Sequence, residues 1–253
     1  MSTQPPFQGD GSRERGERAE DVASWYFRLN GFLSIPGFVL HLDHARVNYR
    51  SDGTPRIART EADLIAVRFP FSREIVGGRP MQDAVELLPP QSPAVKPRPI
   101  FVLAEVKAGH CAMNGPWTNQ HERNMQRVLR RLGFTDSENI IESAASELYD
   151  SAKWEGNAVI VQYICVGGQK SEELSARHAQ LIQIDWQQIG RFLFHRFSGH
   201  PEKTPSGFVH DQWPRFGRKF GEWFRREGSR GTPAASGLAV ERYVGSGRLR
   251  EAG

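Results

Sequence analysis

The sequence predicts an α/β fold in which a mixed sheet is flanked by helices. Three observations predict it. Segments with apolar residues at helical spacing alternate along the chain with short strand-like segments. One of the latter, residues 158–166, is almost continuously apolar, as a central strand covered on both faces would be. Another, Phe101 to Lys107, is an apolar strand pattern that ends with an acid and a base two residues apart. Strand side chains alternate between faces, so Glu105 and Lys107 share one face and Val106 points away. Ionisable groups at the end of an apolar strand are costly to desolvate without partners, which makes this stretch the place to look for chemistry.

The chain has 253 residues, 38% of them hydrophobic. That suffices for one core of upper-middle size. No apolar run approaches the roughly 18 residues that span a bilayer, and Met1 to Pro6 lacks the basic-then-apolar order of a secretory signal. A cytoplasmic protein with no membrane partner is expected. Cys111 and Cys165 are too few and too isolated for a disulfide framework or a cysteine-based zinc site, and read as incidental thiols. A formal net charge of +4 alongside several carboxylates implies positive charge elsewhere, compatible with a polyanionic partner.

Residues 1–14 are polar with proline and glycine and read as a disordered lead-in. A helix is expected over about 15–30: Ala19, Val22, Ala23, Tyr26, Phe27 and Leu29 recur at helical spacing, and Asn30-Gly31 supplies a stop. Glu20 falls beside that apolar stripe and either faces solvent or reaches into a site. Phe32 to Leu42 reads as a strand kinked at Pro36-Gly37, and Asp52-Gly53 as a hairpin turn. In the next strand, Thr60 to Phe69, Asp63 shares a face with Ile65 and Val67. If this strand pairs with the Glu105 strand, Asp63 and Glu105 can hold a divalent cation between them, with Lys107 alongside. The proline-dense stretch 70–99 forbids sheet interior and reads as an insertion, a functional flap or a flexible segment, with one helical turn available over 81–88.

Past Lys107 comes a turn and then a helix over Thr118–Leu132, ended by Gly133. It carries Gln120, Gln126, Arg123, Arg127, Arg130 and Arg131 and is open to two readings, a phosphate-facing surface or a solvated one. Ser137 to Tyr149 reads as a helix, 171–179 as a polar helix and 181–184 as a strand. Asp185 then caps a helix over 186–197. Within residues 199–227 aromatics alternate with arginine and lysine, the pattern of a base-stacking surface or of an amphipathic helix covering the core. Residues 228–253 read as a flexible tail.

Glu20 in the first helix, then Glu61-Ala62-Asp63-Leu64-Ile65-Ala66, then Phe101-Val102-Leu103-Ala104-Glu105-Val106-Lys107 resembles the PD-(D/E)XK, or restriction-endonuclease-like, nuclease superfamily. More narrowly it is similar to small bacterial predicted endonucleases related to archaeal Holliday-junction resolvases. An E-x-x-A helix ending in Gly plus an aromatic is matched by Glu20, Ala23, Gly31 and Phe32. A G-E-I-D-L-I strand is matched by Glu61, Asp63, Leu64 and Ile65, with Thr60 in place of the glycine, and F-V-E-V-K by the Glu105 strand with extra residues before Glu105. The likeness runs from residue 15 to about 132. The insertion between Asp63 and Glu105 is longer than in that narrower family, and the region after 170 has no counterpart.

The resemblance implies a restriction-endonuclease-like core, an αβββαβ arrangement with a central mixed sheet and extra C-terminal helices, over residues 15–198. It implies a nuclease acting on nucleic acid, DNA first, with Mg2+ or Mn2+ as cofactor. Asp63, Glu105 and the Val106 carbonyl would be metal ligands, and Glu20 would bind a metal water or a second ion. Lys107 would orient the attacking water, and Gln126 or Gln120 would touch that water or a phosphate. A homodimer, or a partner protein from a repair or defence system, fits such an enzyme. The competing expectations are an RNA nuclease with the same site and a catalytically inactive nucleic-acid-binding or assembly subunit of the same fold.

Overall fold

The structure, a computed structural model, describes residues 10–41, 48–49, 55–56, 59–88, 96–201, 213–227 and 230–249. Helix α1 (Asp10–Leu29) opens the chain, followed by strands β1 (Leu33–His41), β2 (Asn48–Tyr49), β3 (Pro55–Arg56), β4 (Arg59–Arg68), β5 (Ile75–Val76), β6 (Arg79–Pro80) and β7 (Ile100–Val106). Helices α2 (Gly115–Thr118), α3 (Asn124–Leu132) and α4 (Glu138–Ser151) come next. They are followed by β8 (Lys153–Glu155), β9 (Ile160–Gly167), α5 (Glu172–Arg177), β10 (Ile182–Asp185), α6 (Trp186–Gly199), α7 (Arg215–Arg226) and α8 (Pro233–Ser246).

The fold is α/β with a mixed central sheet in the order β1-β4-β7-β9-β10, β8 pairing with β9 off that path. β4 pairs antiparallel with both β1 and β7, whereas β7, β9 and β10 run parallel to one another. The parallel pairing needs a crossover, and α3 and α4 supply it between β7 and β9. Alternation then sorts β7: Val102, Ala104 and Val106 face a core built with α1, α6, α7 and α8, and Leu103 faces one built with α3 and α4. Pro36 and Gly37 sit in the edge strand β1, where a missing ladder donor is tolerated, and Gly37 takes a φ of +60°.

Four sequence expectations need correction. Helix α1 begins at Asp10, so residues 10–14 are helical and not a disordered lead-in. Ion pairs one turn apart, Arg13 with Glu17 and Arg18 with Glu14, support that turn without any apolar stripe. The helix expected over 118–132 is interrupted: a 3-10 turn at Gln120–Glu122 intervenes, and Arg123 adopts the left-handed φ of 55° before α3 starts. In the insertion, Gly77 and Gly78, both at positive φ, turn a small β5–β6 hairpin.

That insertion is docked onto the fold. The Ala84 N–H donates to Asn30 Oδ1 at 2.6 Å, Arg68 pairs with Asp83 at 2.7 Å, and Arg196 pairs with Glu74 at 2.6 Å. Residues 89–95 of it, and the expected Asp52-Gly53 turn, lie outside the described residues.

The fourth correction concerns the tail. Residues 233–246 form α8, with Thr232 capping its N-terminus and Ala239, Val240, Tyr243 and Val244 buried. Gly190 of α6 and Gly237 of α8 face each other so closely that a Cβ on Gly190 would collide with the Gly237 backbone. Small residues make this helix look like a linker in sequence, and the same small residues let it lie directly on α6. Among the described residues no helix is long and apolar enough to cross a membrane.

Candidate active site

The β4–β7 ladder pairs Leu64 with Ala104 and Ile65 with Leu103. One antiparallel step further would set Asp63 opposite Glu105, and there the ladder ends. The Asp63 carboxylate instead accepts the Val106 N–H at 2.7 Å. Lys107, the first residue after β7, ion-pairs with Glu105 Oε1 and lies 3.6 Å from Asp63 Oδ2. Its own N–H donates to the Val166 carbonyl at 2.8 Å, which holds its backbone against β9. A cation therefore stands between two acids at the carboxyl end of a parallel strand pair, a usual location for ligand chemistry in open α/β sheets.

Helix α1 delivers the third acid. Its buried stripe, Ala19, Val22, Ala23, Tyr26 and Phe27, seats it on the sheet, and Glu20 is half-buried at the edge of that stripe. Burial and then the negative charges of Asp63 and Glu61 push its carboxyl from the ordinary 4.5 to about 7, with Lys107 opposing. The next residue, Asp21, fastens α1 to the C-terminal helices: it accepts the Phe216 N–H at 2.9 Å and the Tyr243 hydroxyl at 3.4 Å.

Glu105 is 1% exposed. Its carboxyl is also pushed to about 7, by burial first and by Asp63 second, against the pull of Lys107. Burial works to lower the Lys107 pKa, but Glu105 and Asp63 outweigh it and the net shift is upward, so the amine is a cation at neutral pH. Tyr163, buried on β9, donates to Glu105 Oε2 at 3.3 Å. Nothing in the sequence singled out Tyr163, because it lies inside the most apolar run of the chain and its hydroxyl becomes informative only once β9 is beside β7.

Asp63, Glu105, Lys107 and the Val106 backbone thus meet, and Glu20 lies within their electrostatic reach. Gln126 does not join them. Its Nε2 donates to Glu142 of α4 at 3.1 Å. Gln120 is exposed on the 3-10 turn.

The arginines of the basic segment lie on the surface with partners from the same chain. Arg123 pairs with Glu142, Arg130 with Glu138, and Arg131 lies over the Phe38 ring. In α7 the aromatics Phe216, Phe220, Trp223 and Phe224 are buried around Trp25 and Phe197, the arrangement of a core-covering helix. Cys111 and Cys165 are buried free thiols.

Among the described residues no group of three or more His, Cys, Asp or Glu side chains is arranged to hold a metal ion. The donor set nevertheless suits a hard dication: the carboxylates converging here are oxygen donors, and although burial is the first cause of the raised Glu20 and Glu105 pKa values, the negative charge of Asp63 adds to both. Compared with protein-family models, with curated protein sequences and with solved structures, the chain matches none.

Proposed function

We propose that the chain is a metal-dependent nuclease of the PD-(D/E)XK superfamily that hydrolyses phosphodiester bonds, in DNA first. The observation that carries this reading is the Lys107 ammonium seated between Glu105 and Asp63 where β4 and β7 part. The order α1, β1, β4, β7, then α3 and α4, then β9 supports the finer fold reading, because it follows the αβββαβ arrangement of a restriction-endonuclease-like core.

Asp63, Glu105 and the Val106 carbonyl are the residues that would hold Mg2+ or Mn2+, with Glu20 beside them. Such an ion supplies charge neutralisation at the scissile phosphate and a water of lowered pKa. The chain's own groups do the rest. Lys107, held cationic by its two acids, orients the attacking water and stabilises the negative charge that grows on the phosphate. The same upward shift disfavours Lys107 as the proton acceptor. Glu20, whose carboxyl is raised to about 7 in the metal-free chain chiefly by burial, would be drawn back to the ionised form by a dication and is suited to hold a metal-bound water. Tyr163 fixes the Glu105 carboxylate from behind.

The test is a side-by-side cleavage assay on DNA and RNA with Mg2+, Mn2+ or EDTA. DNA cutting that needs the cation and disappears in Lys107→Ala supports the reading. Cutting that persists in Lys107→Ala and Asp63→Ala ends it, and preferential cutting of RNA replaces DNA as the substrate.

A further inference from the structure

A cleft of about 700 Å3 lies between the inserted segment and the outer face of α6, with Arg79 and Gln82 on one wall and Arg191, Phe192, His195 and Arg196 on the other. Helical spacing explains the second wall. Ile189, Leu193 and Phe197 turn into the core, which leaves positions 191, 192, 195 and 196 on the opposite side. Trp186, at the N-terminal end of α6, donates to the Ala108 carbonyl beside Lys107. The cleft occupies the later turns of the helix and shares no residue with the acid cluster.

Three arginines line the cleft, Arg79, Arg191 and Arg196, against the two carboxylates Asp83 and Glu86. The carboxylates are engaged from behind: Asp83 by Arg68 at 2.7 Å and Glu86 by the Tyr26 hydroxyl at 2.9 Å. Arg191 is exposed and has no carboxylate partner among the described residues. Arg196 is 4% exposed and already engaged: its terminal nitrogens meet Glu74 at 2.6 Å, Asp83 at 3.8 Å and the Gln82 carbonyl, and its guanidinium lies over the Phe192 ring. With Arg196 engaged, the exposed Arg191 guanidinium, with Arg79 and His195 also lining the cleft, selects an anion, and the planar guanidinium favours phosphate.

The volume is too large for phosphate alone and falls within the few-hundred to thousand Å3 range of small-molecule sites. Phe192 adds an aromatic wall, and the Gln82 amide adds a donor and an acceptor. We infer that this cleft binds a phosphate monoester of nucleotide size at a site separate from the catalytic residues.

The experiment is calorimetric titration of the full chain with the four ribonucleoside 5′-monophosphates and with inorganic phosphate. At least one nucleotide is expected to bind at least tenfold more tightly than phosphate, and Arg191→Glu to weaken it at least tenfold without changing the melting temperature. His195→Ala, also on the surface, is expected to weaken it by a smaller factor. Absence of nucleotide binding, equal binding of bare phosphate, or unchanged affinity in Arg191→Glu overturns the inference. Loss of binding in Lys107→Ala with retention in Arg191→Glu would place the nucleotide in the acid cluster and overturn it equally, leaving the nuclease reading intact.

Discussion

The Val106 N–H donates to Asp63 Oδ2 at 2.7 Å. The acid of one strand is thereby fastened to the backbone of the strand that carries Glu105 and Lys107, at the point where the ladder between them ends. Removing that carboxylate takes away a partner of the Val106 amide and of the Lys107 ammonium together.

Asp63→Ala is therefore expected to lower metal-dependent cleavage by at least about a hundredfold, the scale of losing one preorganised group at a reacting centre. The fold should survive at a cost of about 1–2 kcal/mol for the lost hydrogen bond. Cleavage rates together with urea denaturation check both halves, and an unchanged rate removes Asp63 from the site.

Glu20 and Glu105 have carboxyls raised from 4.5 to about 7. Between those values the folded chain binds more protons at these groups than the unfolded chain does, so their contribution to stability falls as pH rises through that window. In metal-free protein, Glu105→Gln is expected to remove part of this fall and to gain on wild type by about 1–3 kcal/mol between pH 5 and 7.5. Denaturation curves at the two pH values measure that difference. A gain of opposite sign contradicts the assignment.

Gln126 is tied to Glu142 and not to the acids. Gln126→Ala is expected to leave the cleavage rate at the wild-type level while lowering stability by about 1 kcal/mol for the lost hydrogen bond. A loss of cleavage with unchanged stability would show that α3 reaches the substrate after all.

The contact between Gly190 and Gly237 leaves no room for a side chain. Gly190→Val should push α8 off α6 and destabilise the protein by about 1–3 kcal/mol through overpacking. Thermal melts of this variant beside Gly247→Ala, which adds a Cβ at a positive-φ helix terminus with only ordinary van der Waals contact to the Arg18 side chain, separate crowding from backbone strain.

What the sequence by itself determined is local. Strand alternation places Glu105 and Lys107 on one face whatever the rest of the chain does, apolar spacing makes α1 and α6 amphipathic, and Asp185 is a helix cap as read, its carboxylate accepting the Gln188 N–H at 2.7 Å. The continuous apolar run at 158–166 became β9, flanked by β7 and β10.

Only the tertiary structure decided what depends on contacts between distant residues. The reach of Glu20 towards Asp63 comes from how α1 is seated on the sheet. The support that Tyr163 gives Glu105 needs β9 beside β7, and the bond of Gln126 to Glu142 needs α4 packed beside α3. Helix α8 reads as a tail because Ser236, Gly237 and Gly245 dilute the short apolar spacing of Val240, Tyr243 and Val244, and small residues carry no apolar signal of their own. They become core residues only when a second glycine, on α6, is brought against them, and no spacing along the chain records that meeting.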